Sequence, residues 1–357
     1  MAFGDMELFS IVLATEHRGG KGGVATVIPM YIEALKKLGR VRFISTHNGK
    51  KIWGKFGPWI FSFFLCFGVM VRDRHSRKIF HLHPGSGFCI IRMLLLAILI
   101  RFIFRQIVVV YLHTPHLERY LSGWGWRRII FFLVMCSNRA IVLTAYARDL
   151  FRERGFKSGI SVVPNPFKAS GVLPDRKRQV AHEVSILTMG RLVDGKGIIE
   201  TLRAIPFLPE NYRLTIAGSG PLGAKIEREI NELGLDRRVN TTGWVSGKEK
   251  EFLLSTSRVF ALPSTVDSFG MSFIEAQAHD LPIVAFKHPP VMEVLRPAGA
   301  VIVETKNPGV LAAAIERAAS LSSVIEDGSG LAWVEENFGI RRISEKLDRL
   351  MRVLINT

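Results

Sequence analysis

Short apolar runs alternate with helical patterns along almost the whole chain, and this alternation limits the fold more than any other feature. The runs have the length and composition of buried parallel strands. In the first half they are Leu8–Leu13, Val41–Ser45, Lys78–His83, Ile107–His113, Ala140–Thr144 and Ile160–Val163, and in the second half they include Val184–Gly190, Leu214–Ala217, Val239–Gly243 and Arg258–Leu262. The pattern predicts an α/β protein built from doubly wound parallel sheets.

Length and polarity suggest where one domain ends and the next begins. The 357 residues are enough for two domains, each with its own core. Residues 168–183 are polar, with the basic run Arg176–Arg178, and we interpret them as an interdomain linker. The predicted domains therefore cover residues 1–167 and 184–338, and a final helical segment covers residues 339–357.

Composition indicates a globular chain with reduced thiols. Hydrophobic residues make up 48% and charged residues 22%. Cys66, Cys89 and Cys136 stand singly in apolar stretches without metal-ligand spacing, which is typical of cytoplasmic core cysteines. The first fifteen residues lack a basic start, so we expect a first buried strand there rather than a secretory signal.

The positive charge is confined to one half of the chain. Of the net charge of +17, residues 1–165 hold 24 lysines and arginines against 8 acids, whereas the remainder holds 24 against 23. The same half carries the bulky apolar stretches 56–71 and 88–112. No nucleic-acid motif is present, and the combination favours a peripheral contact with an anionic membrane. Arg92 and Arg101 leave only eight uncharged residues between them, too few for a spanning helix. Part of each stretch is expected to be buried.

Two carboxylates flank a loop between a strand and a helix. Asp267 and Glu275 are separated by seven residues, and Gly270 between them lets a ligand approach the backbone. The start of the helix favours an anion such as a phosphate. An acid beside a phosphate pocket is suited to accepting hydrogen bonds from ribose or sugar hydroxyls.

Two cations follow the strand that opens the second half. Arg191 and Lys196 lie five residues apart across a glycine-containing turn. Such a pair stabilises the charge that develops on a departing diphosphate. Alone, these residues would be interpreted as surface charges at a helix start, but Asp267 and Glu275 in the same domain favour the functional interpretation.

The loop after the first strand is rich in glycine, and three interpretations compete for it. Residues 16–26 include Gly22 and Gly23. The spacing does not match a dinucleotide fingerprint, and a P-loop would require a lysine where Val24 stands. The third interpretation fits best, and it comes from the family resemblance given below, which implies a glycine loop that faces donor phosphates and acceptor.

Polar side chains also cluster at the carboxyl ends of the first-half strands. They are His81, His83, His113, Thr144 and Asn165. We interpret His81 and His83 as residues that shape the strand ends, and Thr144 and Asn165 as acceptor-side residues. His113 is predicted to be functional rather than merely buried and bonded to backbone.

Taken in order, these motifs resemble the retaining family 4 glycosyltransferases of the GT-B fold, over nearly the whole chain. The resemblance implies two Rossmann-like domains facing across a cleft, with the acceptor on the first, the donor on the second, and residues 339–357 crossing back to the first. Two positions depart from the family pattern. Asp267 replaces its first Glu, and Asp280 stands where a Gly is usual.

The resemblance also assigns residue roles. Arg191 and Lys196 would bind the pyrophosphate, Glu275 the ribose, and Asp267 and His113 the donor sugar, with Arg191, Lys196, His113 and Asp267 as the catalytic set. The implied donor-binding set is Gly22, Gly23, Gly190, Gly218, Trp244, Val245, Ser268, Phe269, Gly270, Met271, Ser272 and Glu275. Trp244 either borders the base or simply packs.

The predicted activity is retaining transfer from a nucleotide diphosphate sugar, with UDP preferred over GDP, to a lipid-linked or cell-surface glycan. No metal and no cofactor are implied. The protein would be cytoplasmic and peripheral on the inner membrane face, with no nucleic-acid partner. A nucleotide-sugar epimerase of the same fold remains an alternative, as does a non-catalytic nucleotide-sugar-binding or membrane scaffold protein. A phosphorylase would need a pyridoxal phosphate lysine context, which is not seen.

Overall fold

The computed structural model describes residues 8–16, 22–47, 52–72, 78–156, 159–169, 183–321 and 328–356, without the side chains of residues 52–56. The chain divides into two compact units, Met1–Lys168 with Phe338–Thr357, and Ala169–Asn337. Most of the predicted linker, and the predicted glycine loop between Glu16 and Gly22, lie outside the described residues.

The described strands of the first unit form a six-stranded parallel sheet of order β2-β1-β3-β4-β5-β6. The strands are β1 Leu8–Thr15, β2 Gly39–His47, β3 Lys78–Leu82, β4 Ile107–Leu112, β5 Arg139–Val142 and β6 Ile160–Val162. The helices are α1 Gly23–Lys36, α2 Ile52–Arg72, α3 Phe88–Ile98, α4 Leu117–Ser122, α5 Trp124–Met135 and α6 Ala145–Glu153, and a π-helical turn, Leu99–Ile103, continues α3.

The first sheet is buried on both faces because helices cover each side. One face packs against α2, α3, α5 and α6 in a single apolar core. On the other face, α1 packs against α14, Ile340–Asn356. The amphipathic α14 buries Ile343, Leu347 and Met351, and the Ser344 hydroxyl donates to the Ala34 carbonyl at 2.9 Å. This helix, which follows the second unit in the chain, is thus part of the first unit.

The second unit contains a six-stranded parallel sheet of order β12-β11-β10-β7-β8-β9 among its described residues. Its strands are β7 Val184–Met189, β8 Tyr212–Ala217, β9 Val239–Gly243, β10 Val259–Leu262, β11 Ile283–Phe286 and β12 Ala300–Val303. Its helices are α7 Ile198–Ala204, α8 Gly223–Glu232, α9 Gly247–Thr256, α10 Met271–Ala278, α11 Pro289–Met292, α12 Pro308–Leu321 and α13 Ser329–Phe338. The two sheets confirm the predicted α/β class with parallel, doubly wound sheets.

Asp280, one of the two departures from the family pattern, has a structural reason. Its φ is +52°, in the left-handed region where glycine is favoured. Its buried carboxylate accepts hydrogen bonds from the Gly328 and Gly330 N–H groups at 3.1 and 2.7 Å. The side chain therefore caps the start of α13, which offsets the strain of the backbone.

Candidate active site

The turn after β7 and the loop after β10 leave the second sheet at the same edge, because these strands are parallel neighbours. Gly195 O accepts a hydrogen bond from Thr265 N–H at 2.7 Å. Gly195 and Gly197 have φ near +80°, and a Cβ on Gly195 would lie 2.4 Å from Val266 Cγ2. A Cβ on Gly197 would lie 2.5 Å from the Pro263 carbonyl. The two loops therefore pack so closely that neither Gly195 nor Gly197 could carry a side chain.

This contact brings Lys196 onto Asp267. Lys196 Nζ lies 2.5 Å from Asp267 Oδ1, and the two side chains are only 17% and 9% exposed. The other carboxylate oxygen, Oδ2, is buried and has no hydrogen-bond partner in the described part of the chain. His288 Nε2 lies 3.1 Å from the Asp267 backbone carbonyl and steadies the loop. The result is an ion-paired carboxylate with one acceptor oxygen to spare, which suits a hydroxyl donor.

The loop ends at the start of α10, which offers free backbone N–H groups. Gly270 is the N-cap residue with φ +86°, and no side chain caps the helix. Ser268, Met271 and Ser272 are half-buried around this start, whereas Phe269 is buried. The bare helix start can take an anion such as a phosphate.

Glu275 lies on α10 and is paired with a residue that sequence reasoning missed. Lys250, on α9, places Nζ 2.7 Å from Glu275 Oε1, and the side chains are 23% and 13% exposed. One residue further along α9, Glu251 Oε2 contacts His279 Nε2 at 3.0 Å. No sequence signal could have found Lys250, because its partner is 25 residues away on another helix.

The turns after β7 and β8 are also in close contact. A Cβ on Gly218 would lie 1.8 Å from Gly190 O, and one on Gly220 would lie 2.3 Å from Leu192 O. Gly190 and Gly218 therefore allow two backbones to touch. Arg191 follows Gly190 in the turn after β7. Its side chain is exposed and has no hydrogen-bond or ion-pair partner among the described residues.

Trp244 and Val245 lie between β9 and α9. Val245 is buried in the core of the unit, whereas Trp244 is half-exposed. Gly243 O, just before them, accepts a hydrogen bond from Gly218 N–H at 2.7 Å. This contact ties the Trp244 turn to the turn after β8.

In the first unit, the predicted histidines form a buried network with two tyrosines. His83 Nδ1 lies 2.9 Å from His113 Nε2, and the His83 ring stacks on Tyr111 with centroids 4.1 Å apart. His81 Nδ1 lies 2.8 Å from the Tyr111 hydroxyl. Tyr31 packs edge-on against Tyr111 with centroids 5.1 Å apart.

Burial keeps this network uncharged. Desolvation lowers the pKa of His81 to about 3 and that of His113 to about 4, and it holds the pKa of His83 well below its usual range. It also raises the pKa of both Tyr31 and Tyr111. At neutral pH, His113 is a neutral imidazole that can donate or accept a hydrogen bond but carries no charge.

Asn165 and Thr144 have structural partners. Asn165 Oδ1 accepts from the Tyr31 hydroxyl at 3.2 Å, which links it to the histidine network. Thr144 caps α6, its hydroxyl accepting from Ala147 N–H at 3.2 Å. Gly22 and Gly23 stand at the start of α1, where no side chain caps the helix and an added Cβ would meet no atom within 4 Å.

Comparison with known proteins assigns a family to one part of the chain. Residues 174–349 match the family described as glycosyl transferases group 1. This part of the chain belongs to the group 1 glycosyltransferases. It holds Arg191, Lys196, Asp267 and Glu275.

Relatives of the chain include an uncharacterized glycosyltransferase of Methanocaldococcus jannaschii, 33% identical over 39% of this chain and 36% of its own length. A lipopolysaccharide core biosynthesis glycosyltransferase of Rhizobium meliloti is 30% identical over 46% of this chain and 49% of its own. The chain thus matches about half or less of the length of these relatives.

Among solved structures, the HepE protein of Anabaena in complex with UDP and glucose resembles the whole chain. Its TM-score is 0.75 at 16% identity, and the match covers 97% of this chain and 100% of that one. This likeness confirms the GT-B fold.

Within the second unit, the fold brings Lys196 to Asp267 and places Glu275 one turn into α10. In the first unit it joins His113 and Asn165 to one polar network and separates Thr144 as a helix cap. Among the described residues, no group of three or more His, Cys, Asp or Glu side chains is arranged to hold a metal ion.

Proposed function

We propose that the protein is a retaining glycosyltransferase that takes its sugar from a nucleotide diphosphate sugar, with UDP preferred over GDP as carrier. The observation that carries this is Asp267, whose buried Oδ2 has no partner while Oδ1 is held by Lys196. An unpartnered buried carboxylate oxygen costs about 1–3 kcal/mol, more when charged. A sugar hydroxyl would satisfy it. The side chain is one methylene shorter than the family's Glu and is fixed by the loop contacts.

The second unit supplies the positive charge for the departing group. As the bond between the sugar C1 and the diphosphate oxygen breaks, negative charge grows on the diphosphate, and Arg191, Lys196 and the bare α10 start stabilise it. The acceptor oxygen bonds to C1 on the face that the diphosphate leaves. The acceptor proton passes to the departing phosphate oxygen, so the configuration is retained. Glu275 accepts hydrogen bonds from the ribose.

His113 serves as a neutral hydrogen-bonding group for a sugar hydroxyl. Its Nε2 is engaged by His83, and Nδ1 has no partner among the described residues. A charged imidazolium is not available to this role, because burial keeps the pKa of His113 near 4.

The acceptor is proposed to be lipid-linked, because one side of the first unit is apolar and basic. Helices α2, α3 and α5 lie side by side: Trp59 Nε1 of α2 donates to Arg92 O of α3 at 3.2 Å, and α3 packs on α5. These helices and the π-helical turn Leu99–Ile103 carry an aromatic face of exposed apolar residues, namely Ile60, Phe61, Phe64, Phe67, Val71, Phe88, Leu95, Ile98, Phe102, Ile103, Trp124, Phe131, Phe132 and Met135.

Arginines border this aromatic face. Arg72, Arg105, Arg127 and Arg128 are exposed, and the Arg128 guanidinium stacks over the Trp124 ring at 3.9 Å. An apolar surface of this size with a cationic border fits an anionic membrane surface. None of the described helices is both long and apolar enough to cross a bilayer. We propose a peripheral location on the cytoplasmic face of the membrane from this apolar and cationic surface, and the relative named for lipopolysaccharide core biosynthesis supports a glycolipid acceptor.

Donor binding is tested by thermal unfolding with UDP, GDP, UDP-glucose and GDP-mannose, followed by assays of donor hydrolysis and transfer. A nucleotide that binds only the folded state raises the melting temperature. Asp267→Asn should abolish hydrolysis while nucleoside diphosphate binding persists. The matched control is Asp194→Asn, an exposed acid in the turn after β7. Stabilisation without hydrolysis or transfer to any acceptor would favour the non-catalytic alternative, and no stabilisation at all would refute the proposal.

Membrane contact is tested by flotation with vesicles of phosphatidylcholine, alone or mixed with phosphatidylglycerol. Binding should require the anionic lipid, and it should be lost in a Phe64→Glu, Phe132→Glu variant. Phe207→Glu is the control, because Phe207 is 63% exposed and belongs to the second unit rather than to the helices that carry the aromatic face. Equal flotation with both vesicle types would contradict the charge argument.

A further inference from the structure

Lys250 and Glu275 form a mostly buried ion pair between α9 and α10. Both side chains are mostly buried, and burying two charges is favourable only where the geometry satisfies them. The two helices are already joined next door by Glu251 and His279, and Leu254 anchors α9 in the core of the second unit. The buried pair therefore calls for a role beyond packing.

The geometry of the pair leaves half of the carboxylate available. Lys250 Nζ contacts Oε1, and Oε2 has no partner among the described residues. An ammonium has three N–H donors, so Lys250 keeps donors to spare after this contact. The carboxylate is thus held in one orientation with one oxygen free, rather than rotating between several partners.

We propose that Lys250 is a positioning residue for the donor nucleotide: it orients the Glu275 carboxylate so that the free oxygen accepts a hydrogen bond from a ribose hydroxyl. This inference rests on the proposed function, in which Glu275 binds the ribose. Removing Lys250 leaves a charged carboxylate with an unfixed rotamer. The selectivity for ribose then falls, because a mobile acceptor no longer distinguishes a hydroxyl from its absence.

The test is calorimetric titration of UDP and GDP, each with ribose, 2′-deoxyribose or 3′-deoxyribose, into the full-length protein. The parent should bind the ribose form about tenfold to a hundredfold more tightly than one of the deoxy forms, as expected for a charge-assisted hydrogen bond. In Lys250→Met this ratio should fall to about threefold or less. Lys250→Arg, which keeps a cation at the site, should recover most of it.

Two further variants separate positioning from folding. Glu251→Gln removes the neighbouring link between the same helices, and it should lower the melting temperature while leaving the ribose preference intact. Glu275→Gln should lose the preference, and adding Lys250→Met to it should change the preference no further. In steady-state assays, Lys250→Met should raise the donor KM about tenfold with kcat within about twofold.

The outcomes distinguish this inference from the proposed function. A parent that prefers ribose, together with an unchanged ratio in Lys250→Met, overturns the role of Lys250 and leaves the proposed function standing. A parent that binds a nucleoside diphosphate without any ribose preference does the same. A parent that binds neither UDP nor GDP overturns both.

Discussion

The two units hold their polar residues by opposite means. In the second unit, Lys196 with Asp267 and Lys250 with Glu275 are mostly buried ion pairs at the carboxyl edge of the sheet. In the first unit, the equivalent edge carries a network of histidines and tyrosines in which burial suppresses charge. One unit keeps its charges by pairing them, and the other removes them by desolvation.

The difference indicates what each unit is suited to bind. Paired charges can exchange partners when a charged ligand arrives, so the second unit is suited to a diphosphate and its leaving-group charge. A neutral network offers direction without charge, so the first unit is suited to hydroxyl-rich substrates. The variants below test whether this contrast controls activity and stability.

The largest effect is expected from Lys196→Met. Turnover should fall about a hundredfold to a thousandfold, because the cation proposed to stabilise the leaving diphosphate is lost. The melting temperature should fall as well, because the Asp267 carboxylate is left buried without its partner, at a cost of roughly 3 kcal/mol. Steady-state kinetics and calorimetry measure the two effects.

A double variant separates these two losses. Adding Asp267→Asn to Lys196→Met removes the orphaned charge, so the melting temperature should recover while turnover stays low. Recovery of turnover, or no recovery of stability, would contradict the interpretation of the pair.

The next largest effect is expected from acidification, which should lower the stability of the first unit. His81 and His113 have pKa values of about 3 and 4 when folded and near 6.5 when unfolded, so the unfolded chain binds more protons between these values. Stability contributed by the neutral histidines is full above about pH 6.5 and is lost as the pH falls toward 4. The free energy of unfolding should drop by about 2 kcal/mol per histidine between pH 8 and pH 5.

Urea unfolding of the parent, His81→Gln and His116→Gln across this range measures the drop. The first variant should lose about 2 kcal/mol less on acidification than the parent. His116 is exposed, so its variant should follow the parent. An identical pH slope in all three proteins would show that the buried network does not titrate as described.

A smaller loss of stability is expected from substitutions of Asp280 in the second unit. Asp280→Ala should destabilise by about 2 kcal/mol, because the cap on α13 is lost while φ stays positive. Asp280→Gly loses the same cap but relieves the backbone, so its loss should be about 1 kcal/mol. Thermal unfolding checks the order, and a glycine variant less stable than the alanine variant would contradict it.

Much of the fold and part of the site could be predicted from the sequence. The strands were found because a parallel strand buried on both faces is a continuous apolar run, as in β4 and β7. Arg191, Lys196, Asp267 and Glu275 were predicted as site residues from their chemistry near strand ends and from the resemblance to family 4. Whether these residues contact a donor stays a prediction.

The partners of these residues could not be predicted. Nothing in the spacing of Lys250 and Glu275 indicates that α9 and α10 lie side by side, and Tyr31 carries no sign of its contact with Asn165. The role of Asp280 could not be predicted for the same reason, because its partner is the start of a helix about 50 residues further on. Such pairings depend on tertiary packing, which local patterns do not encode.

The packing of α14 on α1 has a consequence for biosynthesis. A ribosome completes the first sheet early, yet α14 is translated only after the whole of the second unit. Until then, the side of α1 that contacts α14 stays uncovered, and the Ala34 carbonyl lacks its Ser344 donor. The first unit is therefore synthesised first but finishes folding last. A nascent chain stalled before residue 340 would present a surface that chaperones bind.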